Sequence, residues 1–387
     1  MKIREVRERT VPLSADISNA YVSFSSMTAS LVAVESDVVR DGRPVTGYGF
    51  SSPGRYAQGE IIRDRAVPRL LAADPHSLMH PETGALDPFR ANAALRQSEK
   101  PGGHGDRSVA IGAVDSAIWD LAAKLEDVPL SRFVGDLHGA EDPTASSVWV
   151  YAAGGYYSEG GSTNSLVQEL TSYLDLGFSH VKMKIGGMPL EADRERVAAA
   201  VEAVEGGQWL AVDANGRFER KEALAYAEML EPFGLLWYEE PGDPLDFEIS
   251  RELAESYGEA LATGENLFSA IDARNLLRYG GLRPDRDYLQ MDPALSYGPS
   301  EFIRMVLEAE TLGWPRARFV PHGGHQLNLA LAAGLGLGGT ECYPGVFAPI
   351  GGFLDDTPVV DGRVELTDVP GIGVEHKSDL WEFFAEL

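Results

Sequence analysis

Short apolar runs alternate with amphipathic stretches over most of the chain from about residue 145 onward. Eight runs can be read: SSVWVYAAG, SHVKMKIGG, LAVDAN, LLWYEEP, LATGEN, DYLQMDP, ARFVPHGG and LGGTECYP. Between them lie segments with apolar residues at helical spacing, such as PLEADRERVAAAVEAV and KEALAYAEMLEPF. Strand and helix in regular alternation indicate βαβ units and a parallel sheet. That many parallel units fit comfortably only in a closed (β/α)8 barrel. Residues 3–12 and 28–52 read differently, with alternating and β-branched apolar positions (TASLVAVESDVV, then VTGYGF) that predict strands of a small separate sheet. Residues 110–130, AIGAVDSAIWDLAAKLEDVPL, have helical periodicity and end at a proline, which predicts a helix packed on the barrel. After about residue 355, strand-like pieces (TPVVDGRVEL) and an amphipathic DLWEFFAEL return. The expected fold class is therefore α/β. A modified TIM barrel spans 136–354, and an α+β capping domain is formed by 1–135 and completed by 355–387.

Composition supports two domains, since 387 residues with 44% apolar and 9% aromatic content can bury a substantial core. The opening MKIREVRERT has no apolar signal core, and no run of 18 apolar residues occurs, so a soluble, cytoplasmic protein is expected. One cysteine, Cys342, excludes an intrachain disulfide and is expected to serve packing. A net charge of −26 repels polyanions, which argues against nucleic acid and membrane partners. An anionic substrate would need a local island of positive charge.

Candidate chemistry gathers at the ends of the runs. Asp213, Glu239 and Glu265 stand 26 positions apart and each closes an apolar run. That is about the length of one strand, one helix and their loops, so the three carboxylates should converge at the barrel mouth. Hard oxygen ligands that leave positions open for substrate suit Mg2+, with Mn2+ an acceptable substitute. Lys182 and Lys184 flank Met183 and share a strand face. Mutual repulsion and desolvation are expected to lower the pKa of at least one, fitting it for general-base work. His322, in PHGGH, can be held and kept protonated by Asp292, which ends the preceding run, and so makes an acid. Two roles fit Glu341: proton sharing with a substrate carboxylate, which needs a raised pKa, or pairing with a lysine in the mouth. His325 is expected to be structural. Together these groups suit removal of a proton α to a carboxylate, where a metal and ammonium groups stabilise the enediolate that forms.

The ordered set KMK, VDAN, WYEEP, TGEN, MDP and PHGGH, with VDSAIWDLAAK ahead of it, resembles the mandelate racemase group of the enolase superfamily over nearly the whole chain. Sites of that superfamily use a Lys or His base with magnesium on the ene-diolate. Among its members the acid-sugar dehydratases are closest in kind. The segments SNAYVSF, GRYAQG, EKPGGHGDRS, VYAAGGYY, LRYGGLRPDRDYLQ and VPGIGVEHKSDL resemble those of D-tartrate dehydratases. The resemblance implies metal ligands at Asp213, Glu239 and Glu265 but not Glu240, Lys184 as base, His322 as acid, and Lys182 on the metal-bound carboxylate. It further implies substrate contacts from Lys100 to a distal carboxylate, from the cap residue Asn19, and from Tyr156 and Asn215. A small anionic hydroxy acid and a homo-oligomeric assembly are expected on the same ground. Three rivals remain open at this point: a racemase or epimerase, a Schiff-base aldolase using Lys184, and a metal-containing sugar-acid binding protein.

Overall fold

A computed structural model describes residues 1–13, 15–138 and 146–387. Three antiparallel strands, β1 (Ile3–Pro12), β2 (Thr28–Arg40) and β3 (Arg43–Phe50), form the small sheet in the order β1-β2-β3. Helix Asp106–Leu125 packs on this sheet and is buried on every side from Ser108 to Lys124, as a helix apolar all round must be. Its close approach is set by Gly47 and Gly49 of β3: a Cβ on Gly49 would lie 2.4 Å from both the Ala113 carbonyl oxygen and the Ala117 nitrogen. The helix begins at Asp106 and ends at Leu125, short of the expected proline. Asp127 adopts a left-handed conformation (φ 58°), and Pro129 disfavours helix at Val128.

The motif VDSAIWDLAAK bolts this helix to both neighbours. Toward the barrel, Asp115 accepts hydrogen bonds from the Ser300 N–H (2.9 Å), the Ser300 hydroxyl (2.9 Å) and the Asn92 amide (3.0 Å). Trp119 Nε1 donates to Ser300 Oγ at 2.9 Å. Toward the cap, Asp120 accepts from the Tyr48 N–H at 2.8 Å and pairs with Lys124 at 2.6 Å.

Six barrel strands pair in chain order and in parallel: β4 (Ser147–Ala153), β5 (Val181–Lys184), β6 (Leu210–Asp213), β7 (Trp237–Glu239), β8 (Leu261–Thr263) and β9 (Tyr288–Leu289). The seventh run, ARFVPHGG, departs from a regular strand. Pro321 has no N–H to give, and Gly323 and Gly324 turn left-handed (φ 120° and 57°). Only a bridge from Phe319 to Leu289 remains, supported by Val320 N donating to Leu289 O (2.9 Å) and His322 N to Gln290 O (3.2 Å). Glu341 N then donates to Pro321 O at 3.3 Å, and β10 (Thr340–Cys342) pairs in parallel with β4, closing the ring. Cys342 is buried there in the core.

The tail expected to complete the cap divides its allegiance. The hairpin β11 (Val359–Val360) and β12 (Arg363–Glu365) joins the barrel, with β12 antiparallel to the start of β4. Helix Ser378–Phe384 does reach the cap, where Trp381 packs edge-on to Tyr48 (5.3 Å between ring centroids) and Glu386 pairs with Arg9 at 2.7 Å.

Candidate active site

Parallel register alone aligns the first three groups. It sets Lys184 opposite Asp213, and Asp213 opposite Glu239, at one level of adjacent strand ends. Glu265 joins them because Gly264, left-handed at φ 129°, carries the chain off β8 toward the same point. One oxygen each of Asp213, Glu239 and Glu265 lies within 4.8 Å of the others. Glu265 Oε2 is buried without a hydrogen-bond partner, as an oxygen reserved for a cation would be. Three hard oxygens around one point, one of them accepting no hydrogen bond among the described residues, fit Mg2+ or Mn2+.

Both lysines are buried among these carboxylates. Lys182 Nζ pairs with Glu239, lies 2.8 Å from Glu341 Oε1 and 3.5 Å from Asp213 Oδ2, while Lys184 Nζ pairs with Asp213. The expected lowering of their pKa values is not found in this arrangement. Burial does lower both, but Glu239 and Glu341 around Lys182, and Asp213 and Tyr156 around Lys184, outweigh it and hold both raised. A Schiff-base aldolase on Lys184 would leave the three convergent carboxylates without a role.

Like charges crowd the carboxylates in turn. Burial and the adjacent Asp213 push Glu239 up to about 8. Asp213 goes the other way, because Lys184 and Lys182 overcome its burial. The raised pKa that proton sharing by Glu341 requires is also absent. Burial raises it, but Lys182, His322 and Lys184 bring it down to about 2, so Glu341 is an ionised partner of Lys182.

Across the mouth stands His322. Its Nδ1 lies 3.0 Å from Asp292 Oδ2, which also accepts from Ala294 N through Oδ1 (2.7 Å) and is thereby oriented. Its Nε2 is 2.9 Å from the Tyr343 hydroxyl and 3.5 Å from Glu265 Oε2. Burial opposes the imidazolium, but Glu265, Glu341 and Asp292 raise its pKa to about 10, so the ring carries a proton at neutral pH. His325 is instead buried beneath the cap, edge-on to Phe50 (5.0 Å) and 3.2 Å from Ser52 Oγ.

A cavity of about 450 Å3 opens above these groups, bounded by barrel loops and by cap loops from residues 19–24 and 53–55. Asn19 and Tyr156 line it. Asn19 Oδ1 accepts from the Tyr21 and Val22 N–H groups (2.8 and 2.7 Å), so its oxygen is taken up by its own loop. Asn215 also borders the cavity, but its amide nitrogen donates to Asp213 Oδ2 at 3.2 Å and so steadies one of the three convergent carboxylates. Lys100 is not brought to this site. It is exposed and borders a separate surface cavity of about 260 Å3 with Arg96, Glu99, His104, Arg107 and Tyr297.

Other residues belong to the site without having been singled out from the sequence. Trp237 Nε1 and Gln290 Nε2 donate to Glu239 Oε2 at 2.8 and 2.7 Å, and Asn266 donates to both oxygens of Glu240 at 2.8 and 2.9 Å. Tyr343 and Arg55 line the cavity. A period-two rule would have found several: Trp237 shares a strand face with Glu239, Gln290 with Asp292, and Tyr343 with Glu341.

Residues 165–380 match the family described as enolase C-terminal domain-like. The chain is 29% identical to arabinonate dehydratase of Saccharolobus solfataricus, over 72% of this chain and 73% of that protein. It is 27% identical to L-talarate/galactarate dehydratase of Salmonella typhimurium, over 94% and 85%. A solved structure of a racemase from Streptomyces coelicolor A3(2) with bound magnesium superposes with a TM-score of 0.79 at 25% identity, covering 100% of this chain and 99% of that one. With its three strand-end carboxylates, paired lysines and capped barrel, the chain belongs to the enolase superfamily, within the mandelate racemase and muconate lactonizing enzyme group.

Proposed function

We propose that this protein is a Mg2+-dependent acid-sugar dehydratase, a carbon–oxygen lyase. One observation carries the reading: a lysine and a protonated histidine face one cavity from either side of a three-carboxylate cluster. Asp213, Glu239 and Glu265 would hold the metal. When bound, Mg2+ or Mn2+ supplies stabilisation for the negative charge that gathers on the substrate carboxylate as the α proton leaves. Lys182, fixed between Glu239 and Glu341, adds an ammonium on the same side.

Lys184 takes the α proton. Its partner Asp213 would also hold the metal, and charge given to the ion would hold the amine protonated less firmly, while Lys182 nearby favours the neutral amine. His322, charged and oriented by Asp292, gives its Nε2 proton to the departing β-hydroxyl, which leaves as water. The enol that remains tautomerises to a 2-keto acid. Because the two groups stand on opposite sides of the mouth, elimination is anti. D-tartrate, which would yield oxaloacetate, is the substrate favoured by the local segments quoted above. Other tartrate isomers and longer aldarates or aldonates use the same machinery, and both dehydratase relatives act on acid sugars by name.

A second reading is a racemase or epimerase, in which His322 returns a proton to the opposite face. The superposition on a magnesium-bound racemase favours keeping it in view. Incubating four- to six-carbon acid sugars with Mg2+ in heavy water separates the two. Dehydration releases a keto acid that semicarbazide traps, whereas racemisation leaves a deuterated acid of inverted configuration. Lys184→Ala is expected to lower both α-proton exchange and keto-acid release by at least about 1,000-fold. Full keto-acid production by that variant would dismiss Lys184 as the base.

A further inference from the structure

The cavity has a further cationic group that the reaction above does not use. Arg55, on the cap loop after β3, lines it together with Lys184 and His322. Its guanidinium lies over the Phe268 ring (5.4 Å from the centroid), donates to Gly54 O at 2.7 Å, and donates to Asn266 Oδ1. All of these partners are neutral, and among the described residues Arg55 makes no ion pair. Other sheltered arginines of this chain are neutralised: Arg196 by Asp193 (2.8 Å), Arg283 by Asp287 (2.7 Å) and Arg107 by Glu99 (3.0 Å). Glu240, Asp243 and Glu265 border the same cavity, but among the described residues none of them lies within ion-pair distance of the Arg55 guanidinium.

The fork is held in place for a ligand. Asn266 is fixed because its NH2 donates to Glu240, so its carbonyl oxygen must face Arg55. The Phe268 ring supports the guanidinium plane from one side. A planar, pre-oriented guanidinium with unused N–H groups suits a carboxylate, which it binds through two parallel hydrogen bonds. In a chain of net charge −26, an uncompensated cation at this place is a departure that calls for an anion.

We infer that Arg55 is the anchor for a distal carboxylate, and that the substrates of this protein are hydroxy diacids rather than monoacids. This rests on the acid-sugar reading above and deepens it. One carboxylate lies at the metal and Lys182 end, and the other lies against Arg55 and Asn266. A monoacid would set a hydroxymethyl group there and leave the guanidinium without its counter-charge. The island of positive charge that an acidic protein needs for such a substrate is therefore Arg55, not Lys100.

Binding tests this without turnover. Lys184→Ala protein, loaded with Mg2+, is titrated calorimetrically with matched pairs, galactarate against galactonate and tartrate against 2,3,4-trihydroxybutyrate. The diacid is expected to bind at least about 30-fold more tightly than its monoacid partner, about 2 kcal/mol. Adding Arg55→Gln should bring that ratio to within about threefold, and Arg55→Lys should restore part of it. A general disturbance of the cap would weaken both ligands alike and keep the ratio. A ratio unchanged by Arg55→Gln, or near one in the Lys184→Ala protein, overturns the assignment while the acid-sugar reading stands. If none of these acids binds, that reading fails and takes this inference with it.

Discussion

At the scale of single residues, the site is governed by which neighbour wins over burial. Lys184 and His322 are both buried, which alone would strip each of its proton, yet both are held charged by carboxylates around the metal position. His325, three residues on, also feels Asp292 and Glu341, but too weakly to offset its burial. Burial dominates and lowers it to about 4 from 6.5. A base whose folded-state pKa lies below its unfolded value costs nothing above pH 6.5, where it is neutral in both states. Its unfolded form gains protons first as pH falls, so stability is lost between 6.5 and 4, by roughly 3 kcal/mol over that window. His325→Gln, which can keep the contact with Ser52, is expected to flatten that part of the stability profile measured by urea denaturation across pH 7 to 4. An unchanged slope would mean the imidazole does not titrate against folding. Because Ser52 and Phe50 belong to the cap side, acid should loosen the cap on the barrel first.

Among the elements, the helix Asp106–Leu125 does most to place cap over barrel, and it can do so because β3 gives it two glycines to lie on. Gly49→Ala would drive a methyl group into the Ala113 carbonyl and the Ala117 amide and push the helix away. A loss of about 1–3 kcal/mol in denaturation is expected from such overpacking. Full stability would show that the sheet can yield at that point. The barrel runs, with their period and spacing, were readable from the chain because each strand is short, apolar and closed by a polar residue. Two elements were not readable for physical reasons. The seventh run is apolar enough for a strand, but Pro321 and the glycines after it break the ladder. Residues 359–365 look like any edge hairpin, and only the exposed N-terminal end of β4 decides that they join the barrel. Likewise Asp213, Glu239 and Glu265 were found because strand ends repeat at a fixed interval, whereas Arg55 lies on a cap loop whose distance from the barrel no periodicity encodes.

For the whole molecule, a net charge of −26 and the convergent carboxylates act together on a cation. Both draw Mg2+ toward the mouth, and salt screens the longer-range part. The apparent Mg2+ dissociation constant, measured calorimetrically, is expected to rise severalfold between about 0.02 and 0.2 M salt, and Glu265→Gln should weaken binding by at least about tenfold. Insensitivity of Mg2+ affinity to Glu265→Gln would place the ion elsewhere. The last described stretch of the chain also packs against the sheet formed by the first, where Arg9 of β1 pairs with Glu386 and Trp381 covers Tyr48 of β3. During synthesis, the lid that shelters the reaction chamber therefore has its back left bare until the far-downstream helix Ser378–Phe384 has emerged from the ribosome, so a change in that helix would be felt in strands made long before it.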